Sequence, residues 1–192
     1  KVMFKISTDK PLTIKARYLN NGPAVICDLR GDVLYKRSFS SPREFELNLP
    51  YSGNFIARGF DVISKKELVK DTIKTDLPEP DRNYEKKFPV LYDEKLTGTP
   101  ARNYYKKGLI VVGPKFRKLT YPVRLFILLH ENAHFLYSDE KNADLWSFKQ
   151  FIEKYGQNYS QAIQALKDVL NLKNEYNKQR VINIYKHCKL IK

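Results

Sequence analysis

Cysteine is scarce in this chain. Only Cys27 and Cys188 occur among its 192 residues, and they lie near opposite ends. A disulfide framework needs several cysteines at short spacings, so the sequence excludes that class of small secreted domain. The two thiols form no paired-cysteine metal motif either. Any metal ion bound by this chain must therefore take its ligands from histidine and carboxylate side chains.

Long apolar runs are also lacking. No stretch approaches the ~20 apolar residues that a membrane-spanning helix needs, so no association with a membrane is expected. The first ten residues alternate apolar and polar side chains, unlike a signal peptide. The chain starts at Lys1 without an initiator Met, so removal of an export signal stays open and the localisation is unknown.

Acidic residues are outnumbered, with 21 Asp and Glu against 35 Lys and Arg. The excess is densest in residues 82–124, which hold 11 basic and 3 acidic side chains. Aromatic residues interleave with these charges, and such a pattern can bind single-stranded nucleic acid: Tyr84, Tyr92, Tyr104, Tyr105, Phe116 and Tyr121. Lys outnumbers Arg 25 to 10, however, whereas nucleic-acid recognition relies largely on Arg. A solvated basic surface above core aromatics is therefore the favoured interpretation.

The hydrophobic pattern of residues 1–75 has a period of two. Short segments rich in Val, Ile, Phe and Tyr are separated by turn residues such as Asn21-Gly22-Pro23 and Ser52-Gly53. Seven segments are predicted to be strands: residues 2–7, 12–19, 24–29, 32–37, 44–49, 54–60 and 67–73. This number of strands predicts a β-sandwich, and residues 49–55 resemble the strand-turn-strand corner of immunoglobulin-like modules. Because this half holds no catalytic constellation, attachment or positioning is its expected role.

Residues 76–81 contain two prolines between acidic residues and are predicted to be a linker. Residues 82–192 then form a second domain, which begins with a buried strand at 108–112. Helices are predicted at residues 123–137, 140–154, 160–170 and 174–189. The expected fold class is thus α+β, with a sandwich followed by a small sheet and about four helices.

The first of these helices carries His130-Glu131-Asn132-Ala133-His134. Residues four apart project from one helix face, so His130 and His134 can both bind one zinc ion about 2.1 Å from each ring nitrogen. Glu131 lies ~100° around the same turn, near a water on the ion, where its carboxylate can act as general base. Zinc lowers the pKa of that water and polarises a substrate carbonyl. Only three histidines occur in the chain, and two of them occupy this motif.

A catalytic zinc site needs three protein ligands and one open position, so a third ligand must follow. Glu140 is favoured, because it falls in the first turn of the next predicted helix, where the helix dipole favours a carboxylate. Asp144 lies one turn further on the same face and is expected to hold a motif histidine by its free N–H. The two roles could be exchanged. Asp139 is a further alternative ligand, although it and Ser138 also offer helix-capping side chains.

The motif and the downstream Glu140-Lys141-Asn142-Ala143-Asp144 resemble the HExxH plus ExxAD pattern of gluzincin-type metallopeptidases, over about residues 105–155. The resemblance implies a zinc-dependent peptidase with Glu140 as third ligand. It also implies that residues 109–112 are the edge strand beside which an extended peptide substrate pairs. The five residues between His134 and Glu140 match metzincin spacing instead, yet Tyr137 stands where metzincins place Gly. The resemblance is therefore to zincins as a whole.

Zincins commonly stabilise the oxyanion with a Tyr or His side chain, and the sequence offers four without a way to choose: Tyr137, Tyr155, Tyr176 and His187. The whole chain, rich in Lys and Asn, also resembles proteins of tailed bacteriophages, which implies a virion ring or tail component. Two functions follow as expectations. The first is zinc-dependent hydrolysis of a peptide or protein substrate. The alternative is an assembly protein that keeps a zincin fold without turnover and forms oligomers or larger assemblies through residues 1–75.

Overall fold

Strands dominate the first half of the chain and helices the second in the computed structural model, which describes residues 3–81 and 88–191. The predicted α+β class is confirmed. Residues 82–87, with Tyr84 and part of the predicted basic stretch, lie outside the described residues. Within the described part, none of the helices combines the length and the apolar composition that a membrane crossing requires.

Two antiparallel sheets build the first half. In chain order its strands are β1 (Met3–Thr8), β2 (Leu12–Tyr18), β3 (Ala24–Asp28), β4 (Val33–Arg37), β5 (Glu44–Leu49), β6 (Gly53–Arg58) and β7 (Phe60–Glu67). One sheet has the order β1-β6-β3-β4 and the other the order β5-β2-β7. Alternate apolar side chains of both sheets meet in one core, in which Ile14, Ile26, Leu47 and Phe55 are at most 1% exposed. This burial is the physical origin of the period-two pattern.

Two of the predicted strand segments differ from the structure. The segment 54–60 is interrupted at Gly59, where a φ of 83° turns the chain from one sheet into the other. Only glycine fits there, because a Cβ would lie 2.4 Å from the carbonyl oxygen of Pro23. The segment 67–73 is not one strand, because β7 ends at Glu67 and the next strand begins at Thr72.

The second half contains β8 (Thr72–Thr75), β9 (Val90–Tyr92), β10 (Ala101–Tyr104), β11 (Leu109–Val112), α1 (Pro114–Arg117), α2 (Tyr121–Ala133), α3 (Glu140–Glu153), α4 (Tyr159–Val169), α5 (Glu175–His187) and β12 (Cys188–Ile191). All four predicted helices are present, with ends that differ by a few residues. Pro122 lies in the first turn of α2, where its missing N–H removes no hydrogen bond of the helix, and the Thr120 side chain makes no capping hydrogen bond.

The strand β11 is central in its sheet. It pairs antiparallel with β10 and parallel with β9, so the prediction that residues 109–112 form an edge strand is wrong. Among the described strands, β9 and β10 form the two edges of this sheet. The sequence did not predict β10, because three of its four side chains are polar or aromatic and show no clear apolar alternation.

A second core lies beneath this sheet and between the helices. Its fully buried members include Phe126 of α2, Phe148 of α3 and Ile184 of α5. Ile73 of β8, which precedes the predicted linker, also belongs to this core, because β8 pairs with β12. The strand before the helical half, β8, and the strand after its last helix, β12, therefore pair in one two-stranded sheet.

Buried polar contacts join the two halves. The Asn48 side chain on β5 donates to the carbonyl of Gly156 (3.0 Å) and accepts from the Thr13 hydroxyl (2.9 Å). The Gln161 side chain on α4 accepts from the backbone N–H of Asn48 (2.9 Å) and donates to its carbonyl (3.2 Å). Such paired bonds fix the position of α4 against β5.

Candidate metal centre

The helix α2 brings the two motif histidines to its C-terminal end. Val123, Phe126 and Ile127 bury one face of the helix in the second core, as their spacing predicts. His130 lies in the last turn, and His134 is the residue that caps the helix in right-handed backbone conformation. Both rings therefore emerge from one side of the helix end, with little solvent exposure.

Three ligand atoms meet beside this helix end. The Nε2 atoms of His130 and His134 lie 3.0 Å apart. The Glu140 carboxylate approaches both rings, with one oxygen 3.3 Å from Nε2 of His130 and the other 3.4 Å from Nε2 of His134. The three residues offer ligand atoms that all lie within 4.8 Å of one another, close enough to hold a metal ion.

The spacing of these atoms fits a zinc-sized ion. Two ligands about 2.1 Å from a tetrahedral centre are roughly 3.4 Å apart. The observed separations of 3.0, 3.3 and 3.4 Å require only small movements to reach that geometry. Two imidazole nitrogens and one carboxylate are also a ligand set that zinc accepts, and they leave a fourth position open.

The turn between the two helices selects Glu140 as the carboxylate of this cluster. Asp139 is the N-cap of α3, and its oxygens accept from the backbone N–H and the side-chain amide of Asn142 at 2.9 and 2.8 Å. Asp139 is thus committed to the helix start. Glu140, one residue later, lies in the first turn, where the backbone N–H groups favour negative charge.

Asp144 contacts the outer nitrogen of His130. Its Oδ1 lies 2.9 Å from Nδ1 of His130, on the side of the ring away from the Nε2 cluster. Asp144 is one turn beyond Glu140 on α3 and is only 1% exposed. Asp144 thus lies behind the His130 ring, whereas Glu140 lies beside the two Nε2 atoms.

Arg180 completes the arrangement and was not predicted from the sequence. Its Nε and Nη2 atoms donate to the two oxygens of Asp144, each at 2.7 Å, and Nη2 lies 3.0 Å from an oxygen of Glu140. Arg180 comes from α5, 36 residues after Asp144, so no local spacing connects them. The one available signal is that it is the only arginine after Arg124.

Charge within this network is balanced. Burial opposes ionisation of His130, but Asp144 and Glu140 outweigh burial and raise its pKa to about 9. His130 and His134 hold the pKa of Glu140 well below its usual range. Burial alone would raise the pKa of Asp144, yet Arg180 and His130 keep that pKa low. A metal ion entering the cluster must therefore displace a proton from His130.

Glu131 follows His130 on α2 and is partly buried. Its backbone carbonyl accepts a hydrogen bond of 2.7 Å from the Asn103 side chain on β10. The edge strand β10 is therefore attached to the same helical turn that carries the predicted general base. Sequence reasoning did not identify Asn103.

The four predicted oxyanion-stabilising residues lie in different surroundings. Tyr137 is buried and its hydroxyl donates to the Pro78 carbonyl (3.3 Å). His187 lies 3.3 Å from Asp76, and Tyr155 packs against the second core. Tyr176 is 59% exposed and lines a cavity of about 250 Å³ together with Glu140 and Arg180. Tyr137 and Tyr176 both lie against residues of the cluster, because the Tyr137 carbonyl is 3.3 Å from Nδ1 of His134 and Tyr176 lines the cavity beside Glu140.

The predicted linker packs against the turn that follows His134. The Asp81 carboxylate accepts from both the backbone N–H (3.1 Å) and the hydroxyl (2.5 Å) of Ser138. Together with the hydrogen bond from Tyr137 to Pro78, this contact fixes residues 78–81 beside the turn. The linker therefore helps to set the path between the second histidine and Glu140.

Comparison with known proteins identifies no relative: no protein-family model, curated protein or solved structure matches this chain. The resemblance to zincins remains a local one, carried by the motif residues. The function must therefore be inferred from the side chains that the fold brings together.

Proposed function

We propose that this chain is a zinc-dependent peptidase with a zincin-like domain. The observation that carries the proposal is the convergence of His130, His134 and Glu140, whose ligand atoms lie within 4.8 Å of one another. Three protein ligands with an open fourth position are typical of catalytic rather than structural zinc sites. The ordered partners behind two of these ligands, Asp144 and Arg180, are also typical of a built metal site.

Zinc at this site would supply a Lewis acid that lowers the pKa of a bound water and polarises the substrate carbonyl. The Glu131 carboxylate would accept the proton of the attacking water and deliver it to the nitrogen of the leaving amine as the C–N bond breaks. Asp144 would keep Nδ1 of His130 protonated, so that Nε2 presents its lone pair to the metal. Each step uses a group that lies on α2 or α3.

The substrate in this proposal is an extended peptide beside β10. One edge of β10 pairs with β11, and its other edge carries no strand among the described residues. Unpaired backbone groups on such an edge can pair with a substrate backbone. The hydrogen bond from Asn103 to the Glu131 carbonyl holds this edge close to the metal centre.

The first half serves attachment or positioning in this proposal, as an immunoglobulin-like sandwich. Its two sheets share one core, and the residues around Asn48 and Gln161 connect it firmly to the helical half. In this proposal the first half binds a larger assembly and thereby positions the peptide-binding edge of β10.

Zinc content and peptide cleavage test the proposal separately. We expect about one zinc per chain in the purified protein and loss of zinc in His134→Ala, measured by elemental analysis. His187→Ala is the matched control, because His187 lies outside the cluster and should leave zinc content unchanged. Glu131→Gln should retain zinc but lose cleavage of casein at least 100-fold. Equal cleavage by Glu131→Gln and the wild type would refute the mechanism.

An assembly protein without turnover is the second candidate function, such as a ring or tail component of a virion. One observation favours it. Glu140 contacts His130, His134 and Arg180, so its negative charge has protein partners without a metal ion. Zinc-free protein with undiminished stability and a symmetric oligomeric state would support this alternative. Stoichiometric zinc and metal-dependent cleavage would exclude it.

A further inference from the structure

The edge of β10 that pairs with no described strand carries positive charge. In β10, Ala101 and Asn103 face the helices, since Ala101 is 3% exposed and Asn103 contacts the Glu131 carbonyl of α2. Side chains alternate along a strand, so Arg102 and Tyr104 lie on the outer face of the sheet. Arg102 is exposed there, opposite Val111 of β11.

Two lysines extend this charge beyond the end of β10. Lys106 and Lys107 lie in the 3₁₀ turn Tyr105–Lys107 and are both exposed. The Nζ atom of Lys107 lies 5.6 Å from the centre of the Tyr104 ring, on the strand that carries Arg102. Arg102 therefore lies on β10, and the two lysines lie in the turn that joins β10 to β11.

Acidic partners are few around this edge. Residues 88–124 contain eight basic and two acidic side chains. Among the described residues, no ion pair involves Arg102, Lys106 or Lys107. These charges do not stabilise the fold through pairing. Arg102 lies on the face where an added strand would place alternate side chains, and the two lysines lie just beyond the strand end.

We infer that the edge of β10 selects peptides with acidic side chains. This inference rests on the proposed function, because it places the substrate beside β10. A strand paired to that edge presents alternate side chains to the outer face, about 5 Å from their neighbours on β10. Glutamate or aspartate at those positions meets Arg102, and residues near the strand end meet Lys106 and Lys107. A neutral residue at those positions lacks this attraction, and a basic residue there is repelled by the like charge.

Binding by the Glu131→Gln protein tests the inference without cleavage. Two fluorescein-labelled peptides of equal length are compared by anisotropy, one with Glu at alternate positions and one with Gln at the same positions. Exposed ion pairs are individually weak, so we expect a preference for the Glu peptide of about 3- to 10-fold in Kd. Raising the ionic strength from 0.05 to 1 M should abolish that preference, because the Debye screening length falls to about 3 Å.

Variants locate the preference on β10. Arg102→Gln and Lys106→Gln/Lys107→Gln should each reduce it, and Arg102→Glu should favour a peptide with Lys in place of Glu. Lys65→Gln, which removes an exposed charge from β7 in the first half, is the matched control and should leave the preference intact. Arg102 lies on the outer face, so its loss should not disturb the core.

The outcomes separate this inference from the proposed function. A preference that depends on Arg102 supports it even if the wild type cleaves neither peptide, a result that would contradict only the peptidase proposal. Equal Kd values for the Glu and Gln peptides would overturn the inference, whether or not the wild type cleaves them. A preference that survives Arg102→Gln and falls with Lys65→Gln would also overturn it. Tighter binding of single-stranded DNA than of the Glu peptide would identify a nucleic-acid surface instead.

Discussion

Arg180 neutralises an aspartate that is almost completely withdrawn from water. Asp144 is 1% exposed, and both of its oxygens accept from the Arg180 guanidinium at 2.7 Å. A buried carboxylate without such a partner carries a large desolvation cost. Arg180 also contacts Glu140, so this one side chain of α5 contacts both Glu140 of the cluster and Asp144 behind His130.

Removal of Arg180 should therefore destabilise the fold. We expect Arg180→Met to lower the free energy of unfolding by about 3 kcal/mol in EDTA, because Asp144 loses its partner. Arg124→Met is the control, since its pair with Asp32 is more exposed and should contribute at most about 1 kcal/mol. Urea denaturation measures both. A double variant with Asp144→Asn should recover part of the loss, and failure to recover any would argue against this cause.

Zinc affinity should depend on pH through His130. This ring faces Asp144, Glu140, His134 and Arg180, and its pKa is raised to about 9. Below that pH the metal-free ring is protonated, so zinc must displace the proton at Nε2. The apparent affinity should fall about tenfold for each pH unit from 8 to 6, while Glu140 stays ionised. Competition with a chromophoric chelator measures this slope.

The variant Asp144→Asn provides the control for that experiment. It removes a carboxylate that raises the pKa of His130, so the pH dependence between 6 and 8 should become shallower. An affinity that is independent of pH in the wild type would show that His130 is not the titrating ligand.

Local spacing in the sequence identified only part of this site. His130 and His134 were recognisable as neighbours because four-residue spacing places them on one side of a helix. The choice among Asp139, Glu140 and Asp144 depended on how the chain turns after His134. In the structure Asp139 caps α3, Asp144 lies behind His130 and Glu140 lies beside both histidines. Arg180 was inaccessible, since its contact with the site is purely tertiary.

At the level of secondary structure, the junction of β5 with α4 combines burial with hydrogen bonding. Asn48 is 5% exposed, and its side chain bonds both the Thr13 hydroxyl and the Gly156 carbonyl. An apolar side chain of similar size would fill the space but would leave both groups without partners. Such unsatisfied buried groups cost more than the lost hydrogen bonds alone.

Asn48→Leu should consequently lower the free energy of unfolding by about 3 kcal/mol. The backbone bonds between Asn48 and Gln161 survive this change, so the fold itself should persist. Asn54→Leu, at an exposed position of β6, is the control and should stay within about 0.5 kcal/mol of the wild type. Chemical denaturation followed by circular dichroism compares them. Equal stability of the two variants would show that the junction contributes little.

Strands and helices differed in how well the sequence predicted them. The four long helices were predictable because a period of 3.6 is maintained over ten or more residues, as in α2 and α3. The edge strand β10 was missed because four residues without apolar alternation give no such period. The strand β8 was misplaced because its partner, β12, lies at the other end of the helical half.

Over the whole molecule, the two cores have separate buried members, and the halves meet through polar and aromatic contacts. Residues 6–60 supply the buried side chains of the first core, and residues 73–188 supply those of the second. Hydrophobic periodicity is typical of such separate cores, although the second core begins at Ile73, before the predicted linker. It could not predict the contacts across the boundary, such as Asn48 with Gly156 or Arg124 with Asp32. Those contacts depend on how the finished halves meet.

The pairing of β8 with β12 has a consequence for synthesis on the ribosome. Cys188 is translated 113 positions after its partner Thr75, which takes roughly 6 to 23 s at ~5–20 residues per second. During that interval β8 cannot pair with β12, because β12 has not yet been synthesised. His130, His134 and Glu140 emerge before Arg180, so a nascent chain holds these three side chains while Asp144 still lacks its arginine. The buried carboxylate of Asp144 therefore gains its partner only late in synthesis, when α5 emerges.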